Sequence, residues 1–157
     1  MKRFASVLFT LALGAGLSGA AAADETKAPS KKPAAKSDWK ILAAPDVKFV
    51  DVEGMKGAQA AALWGDMKKG AHGTFIKWPS GFDTGWHRHS HLVRVVVVQG
   101  TLTIEPEGQA ARDLGAGSYF VDPANSRHRT GCKAGGTECV FFITQSAAFD
   151  MVPDEKK

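Results

Sequence analysis

Gly85-Trp86-His87-Arg88-His89-Ser90-His91 is the stretch that decides how this chain folds. Its histidines recur at every second position. Side chains two apart on a β-strand point to the same face, so His87 and His89 on one strand stand side by side. Two imidazoles placed in this way suit one metal ion, since imidazole nitrogen is the commonest protein ligand for zinc, iron, copper and nickel. His128 follows further along, so four of the five histidines fall in two short segments.

Outward from this stretch the chain reads as short strands parted by turns. One long strand is predicted over Gly85–Val98. Gln99-Gly100 turns it into Thr101–Ile104, and Pro106-Glu107-Gly108 makes a loop. Gly115-Ala116-Gly117 leads into Ser118–Val121, and Pro123-Ala124-Asn125 turns into Ser126–Thr130. A loop holding Gly135-Gly136 then leads to Val140–Thr144. Upstream, Val47–Val52 reads as a first strand and Gly73–Trp78 as another. Ala60–Leu63 suits a short helix or a strand, and Trp64-Gly65-Asp66 looks like a turn. Short alternating strands with frequent turn signals indicate an all-β antiparallel sandwich or barrel.

The N-terminal region has a different character. Lys2 and Arg3 precede an apolar run from Phe4 to Leu17, and Ala21-Ala22-Ala23 offers an Ala-x-Ala cleavage pattern. Residues 1–23 therefore read as a secretory signal peptide. A membrane anchor is the alternative, but the run is too short and too rich in Gly and Ala for a comfortable span. Export to a bacterial periplasm is expected, with no stable membrane insertion after cleavage. Residues 24–37, rich in Lys, Ala and Pro, read as a flexible linker. Residues 38–153 have the length of one ordinary domain, and 154–157 form a tail. The net charge of +4 resides outside that domain, within which basic and acidic residues balance. A neutral domain predicts no nucleic-acid surface.

Two cysteines, Cys132 and Cys139, flank Lys133–Glu138, which looks like a hairpin loop. In an oxidising compartment they are expected to pair. The alternatives are two buried thiols, or a Cys132 that faces the metal from the strand of His128.

Two spacings resemble the motifs of the cupin superfamily. The first motif is Gly, five residues, His-x-His, three or four residues, Glu, six residues, Gly. Gly81, His87, His89 and Gly100 match it, and Val93 occupies the Glu position. The second is Gly, five residues, Pro-x-Gly, two residues, His, three residues, Asn. Gly117, Pro123 and His128 match; Asn125 replaces the glycine and Cys132 the final Asn. Asn is the residue next most tolerant of a left-handed backbone. The motifs span roughly the middle third of the chain. Leu63–Asp66 and Phe75–Gly81 look like an uncharacterised subfamily of small single-domain bacterial cupins. That subfamily is similar to the group containing the acetylacetone-cleaving dioxygenase and the cupin domain of zinc-binding anti-sigma factors. The resemblance implies a double-stranded β-helix, a jelly-roll-like conical barrel with the metal inside. It names no substrate.

The metal ligands are accordingly His87, His89 and His128. A neutral three-histidine site suits one divalent transition metal, Fe(II) or Zn(II) first, with Ni, Cu or Mn as further options. It leaves coordination positions open for water, dioxygen or a chelating substrate. His91 keeps the parity of His87 and His89. It is a candidate catalytic acid–base group or a fourth ligand; if a bulge follows His89, it is a hydrogen-bonded residue of the barrel mouth. His72, beside Gly70 and Gly73, reads as a surface-loop residue. Trp78, Trp86, Phe120, Phe141 and Phe142 either line a pocket or form plain core. Arg88 and Arg94 should face away from His87, as should Leu92, Val96 and Val98. An outward apolar strip of this kind predicts a homodimer. Arg127 and Arg129, flanking His128, read as surface residues.

These readings describe an exported metal-binding cupin, a three-histidine enzyme of oxygenase type acting on a small chelating substrate such as a dicarbonyl or hydroxyacid. The alternative is a non-catalytic module that binds or senses metal or a small ligand. No general-base carboxylate stands out in the motifs, which weighs against hydrolase or isomerase chemistry.

Overall fold

The computed structural model describes residues 39–154. The segments expected to be a signal peptide and a linker lie outside them. Among the described residues eleven strands follow one another: β1 (Val50–Asp51), β2 (Gln59–Gly65), β3 (His72–Trp78), β4 (Asp83–Arg88), β5 (Val93–Gln99), β6 (Thr101–Pro106), β7 (Arg112–Gly115), β8 (Tyr119–Asp122), β9 (His128–Cys132), β10 (Cys139–Gln145) and β11 (Val152–Pro153). They form two antiparallel sheets, ordered β1-β2-β3-β10-β5-β8 and β11-β4-β9-β6-β7. A single 3-10 turn, Ala44–Asp46, precedes them. Among the described residues no helix is long and apolar enough to cross a membrane.

The all-β expectation holds, but several elements differ. The long strand expected over Gly85–Val98 is two strands, β4 and β5, which belong to different sheets. At residues 89–92 the chain crosses from one sheet to the other, and its free backbone groups find partners elsewhere. Asn125 N–H donates to the His89 carbonyl at 2.8 Å, and Ser90 N–H to Asp150 Oδ1 at 3.0 Å. Sequence periodicity continues across this corner and so hides it. Ala60–Leu63 belongs to a strand that runs through Trp64 and Gly65, and the turn begins at Asp66. The expected Val47–Val52 strand shortens to β1.

Alternation decides which side chains enter the core. Along β5, Val93, Val95 and Val97 are buried while Arg94, Val96 and Val98 face out. Leu102, Phe141, Ile143 and Trp78 pack against the inner valines. Trp78 stacks on Phe82 and meets Phe141 edge-on, both at 4.7 Å between ring centroids. Phe142, one residue on, points to the other side and meets Phe75. Cys132, ending β9, forms a disulfide with Cys139, which opens β10. The bridge therefore ties one sheet to the other. Gly100, at φ +77°, turns β5 into β6 against the Cys139 backbone, where a Cβ would meet the Glu138 carbonyl at 2.6 Å. Asn125 adopts φ 60°, the left-handed conformation that the motif assigns to glycine there.

Candidate metal centre

His87 on β4 and His128 on β9 are direct antiparallel partners. Paired residues of an antiparallel ladder point to the same face, so the two imidazoles meet inside the barrel with centroids 4.2 Å apart. His89 lies one residue beyond β4 but keeps its inward direction. Its ring stands 5.0 Å from His87 and 5.3 Å from His128. All three side chains are buried, and one ring nitrogen from each lies within 4.8 Å of the others. The three histidines expected to bind metal are thus brought together. His91 is not among them; its side chain is exposed, and its carbonyl accepts a hydrogen bond from Gln145.

The orientation of each ring is fixed by its far nitrogen. Nδ1 of His87 donates to the Gly85 carbonyl at 3.0 Å, and Nδ1 of His128 to the Ser126 carbonyl at 3.0 Å. Nδ1 of His89 donates to the Asp150 carbonyl. A carbonyl can only accept, so each Nδ1 carries the proton and each Nε2 offers a lone pair. Such partners fix the tautomer of a metal-binding imidazole and raise its basicity. Burial holds all three imidazoles below their ordinary range, His87 down to about 4. They are neutral at pH 7, the form that binds metal.

A carboxylate that the sequence reading missed joins them. Asp122, at the end of β8, is buried, with Oδ2 at 3.3 Å from His128 Nε2 and 3.6 Å from His89 Nε2. That oxygen has no hydrogen-bond donor among the described residues. Burial pushes the Asp122 carboxyl up to about 7. Along β8, Tyr119 and Val121 face out while Phe120 and Asp122 turn inward, so local alternation gives its face, but only the long-range pairing of β8 with β5 sets it beside the histidines. This corrects the view that the site lacks a carboxylate. An unpartnered carboxylate oxygen and three imidazole lone pairs form a donor set that fits a divalent transition metal.

The histidines line a cavity of about 60 Å³ whose other walls include Met55, Met67, Trp78, Phe120, Phe149 and Met151. The C-terminal segment covers this end: Phe149 packs on His89 at 4.9 Å between centroids, and its N–H donates to the Met67 carbonyl. Of the aromatic residues weighed, Trp78, Phe120 and Phe141 line the cavity, whereas Trp86 lies under the Arg127 guanidinium. Arg127 also pairs with Glu107 and Asp154, and Arg129 with Asp83. Arg88 and Arg94 face solvent, as expected.

His72 departs from expectation. It is fully buried on β3, with Nδ1 at 3.0 Å from Thr74 Oγ1. Gly73 beside it marks a close approach to Trp64 rather than a loop.

Two antiparallel sheets closed around an inward-facing histidine cluster define a double-stranded β-helix, so the chain has the cupin fold. It belongs to the family described as a domain of unknown function, DUF4437, whose model matches residues 17–152. No curated protein matches it. Among solved structures it is similar to the polyketide cyclase RemF from Streptomyces resistomycificus, with 17% identity and a TM-score of 0.64 over 76% of this chain and 88% of that one. An RmlC-like cupin protein from Ralstonia eutropha JMP134 shares 19% identity with a TM-score of 0.60 over 76% of each chain. KdgF from Halomonas sp. shares 23% identity with a TM-score of 0.56 over 68% of this chain and 94% of that one. At these identities the likeness carries the fold alone.

Proposed function

We propose that this protein is an exported, mononuclear metalloenzyme in which His87, His89 and His128 hold one divalent transition metal, Fe(II) or Zn(II). The observation that carries the reading is the set of three Nδ1–carbonyl hydrogen bonds, which turn three buried Nε2 lone pairs into one apolar cavity. An isolated core histidine needs one satisfied nitrogen; three rings held alike, with their free nitrogens converging, are arranged for a cation.

The substrate is a small, largely apolar molecule with two oxygen donors. The cavity's size and its methionine and aromatic walls support this, since apolar walls bind carbon and a few polar groups set orientation. Trp78, in that wall, carries a buried indole N–H without a partner, a free donor for a substrate oxygen. The bound metal would supply Lewis acidity or dioxygen activation. Oxygenase-type chemistry is favoured because the lining residues among those described include no Ser, Cys or Lys nucleophile. His91 remains the candidate proton shuttle, although its exposed side chain lies outside the cavity lining and would reach a bound substrate only through solvent.

An oxygen electrode tests the reading. Fe(II)-loaded protein with a panel of dicarbonyls and hydroxyacids should consume dioxygen, and the His128→Ala variant should not. Metal-dependent binding of the same compounds without uptake would favour a non-catalytic binding module instead.

A further inference from the structure

The carboxylate absent from position 93 has a counterpart directly across the sheet. Val93 on β5 and Asp122 on β8 are antiparallel partners. Their side chains therefore share a face, and both line the histidine cavity. We propose that Asp122 is the fourth protein ligand of the metal held by His87, His89 and His128. The carboxylate of the site has moved from the histidine-bearing segment to the neighbouring strand. This rests on the metal-site reading above and adds a ligand to it.

Three observations carry the proposal. Asp122 Oδ2 stands 3.3 and 3.6 Å from two Nε2 atoms. Ligands about 2.1 Å from one metal ion lie roughly 3.0–3.5 Å from one another, so these are spacings along an edge of a coordination shell. The tautomers are the second. With each Nδ1 holding its proton against a carbonyl, Nε2 has none to donate. A carboxylate oxygen facing bare nitrogen lone pairs is stable only with a cation or a proton between them. The third is isolation: Asp122 is 5% exposed, and Oδ2 has no donor from any described residue. Among the described residues no lysine or arginine lines the cavity to neutralise it.

The experiment titrates metal-free protein with Zn(II) against a chromophoric chelator, and with Co(II) followed by visible absorption. Wild type is compared with Asp122→Asn, which preserves shape, and with the double variant Asp122→Val, Val93→Glu, which moves the carboxylate back across the strand pair. The proposal expects at least 100-fold weaker Zn(II) binding in Asp122→Asn and an altered Co(II) spectrum, with most of the affinity recovered in the double variant. Zn(II) affinity within threefold of wild type in Asp122→Asn overturns it. So does weaker binding with an unchanged Co(II) spectrum, which would make Asp122 a positioning residue outside the shell. Failure of the wild type to bind either metal would instead remove the three-histidine reading itself.

Discussion

Gly100 and Gly117 both occupy motif positions and both adopt a left-handed backbone, at φ +77° and +86°, yet their surroundings differ. A Cβ at Gly117 meets nothing within 4 Å. At Gly100 it meets the Glu138 carbonyl at 2.6 Å and both Cα and Sγ of Cys139 at 3.0 Å. Those atoms cannot swing aside, because Cys139 is held by its disulfide and its ladder pairing with Trp78. Gly117→Ala should therefore cost only the left-handed penalty, about 1–2 kcal/mol. Gly100→Ala should add an overpacking cost of about 1–3 kcal/mol. Alanine stiffens the unfolded chain equally at both sites, so that contribution cancels in the comparison. Urea unfolding of the two metal-free variants at one pH measures the difference. Unfolding free energies that agree to within about 0.5 kcal/mol would refute the claim that the β5–β6 turn is glycine because of close approach to the disulfide.

Three further outcomes follow from the same structure. Replacing Cys132 and Cys139 together by Ser opens a short loop and should lower stability by about 2–3 kcal/mol in the chain-entropy model; an unchanged urea midpoint would contradict it. Burial holds His72 below its ordinary pKa, so from about pH 6.5 downward the unfolded chain takes up a proton that the folded chain refuses. Stability contributed at His72 is thus lost as pH falls, and His72→Gln should flatten the profile between pH 7.5 and 5; Asp66 and Gln145, the groups acting on His72, are unchanged in that comparison. An unaltered slope would remove the argument. The exposed strip of Val96, Val98, Tyr119 and Val121 across β5 and β8 predicts a homodimer, which a monomer mass by light scattering at high concentration would reject.

How far the sequence could be read depends on the range of each signal. His87 and His89 were legible because strand parity is local, and His128 because its distance from Gly117 and Pro123 matched a motif. The crossing at residues 89–92 was not, since alternation continues through a corner when each sheet buries one face. His91 shared the parity of His87 in the sequence, and that corner is why it does not share the cavity. Asp122 sits opposite Val93 only through the register of β5 with β8, a pairing between segments far apart in the chain. His72 was obscured by flanking glycines, which signal loops in isolation. Here β3 lies between β2 and β10, and its neighbours cover it.

The central claim is that three buried histidines hold one divalent metal. Metal content per chain, measured by elemental analysis on wild type and the His128→Ala variant after loading at neutral pH with the fold intact, tests it most directly. The account predicts one metal per wild-type chain and loss of most of it in the variant. Equal metal content in both would contradict it.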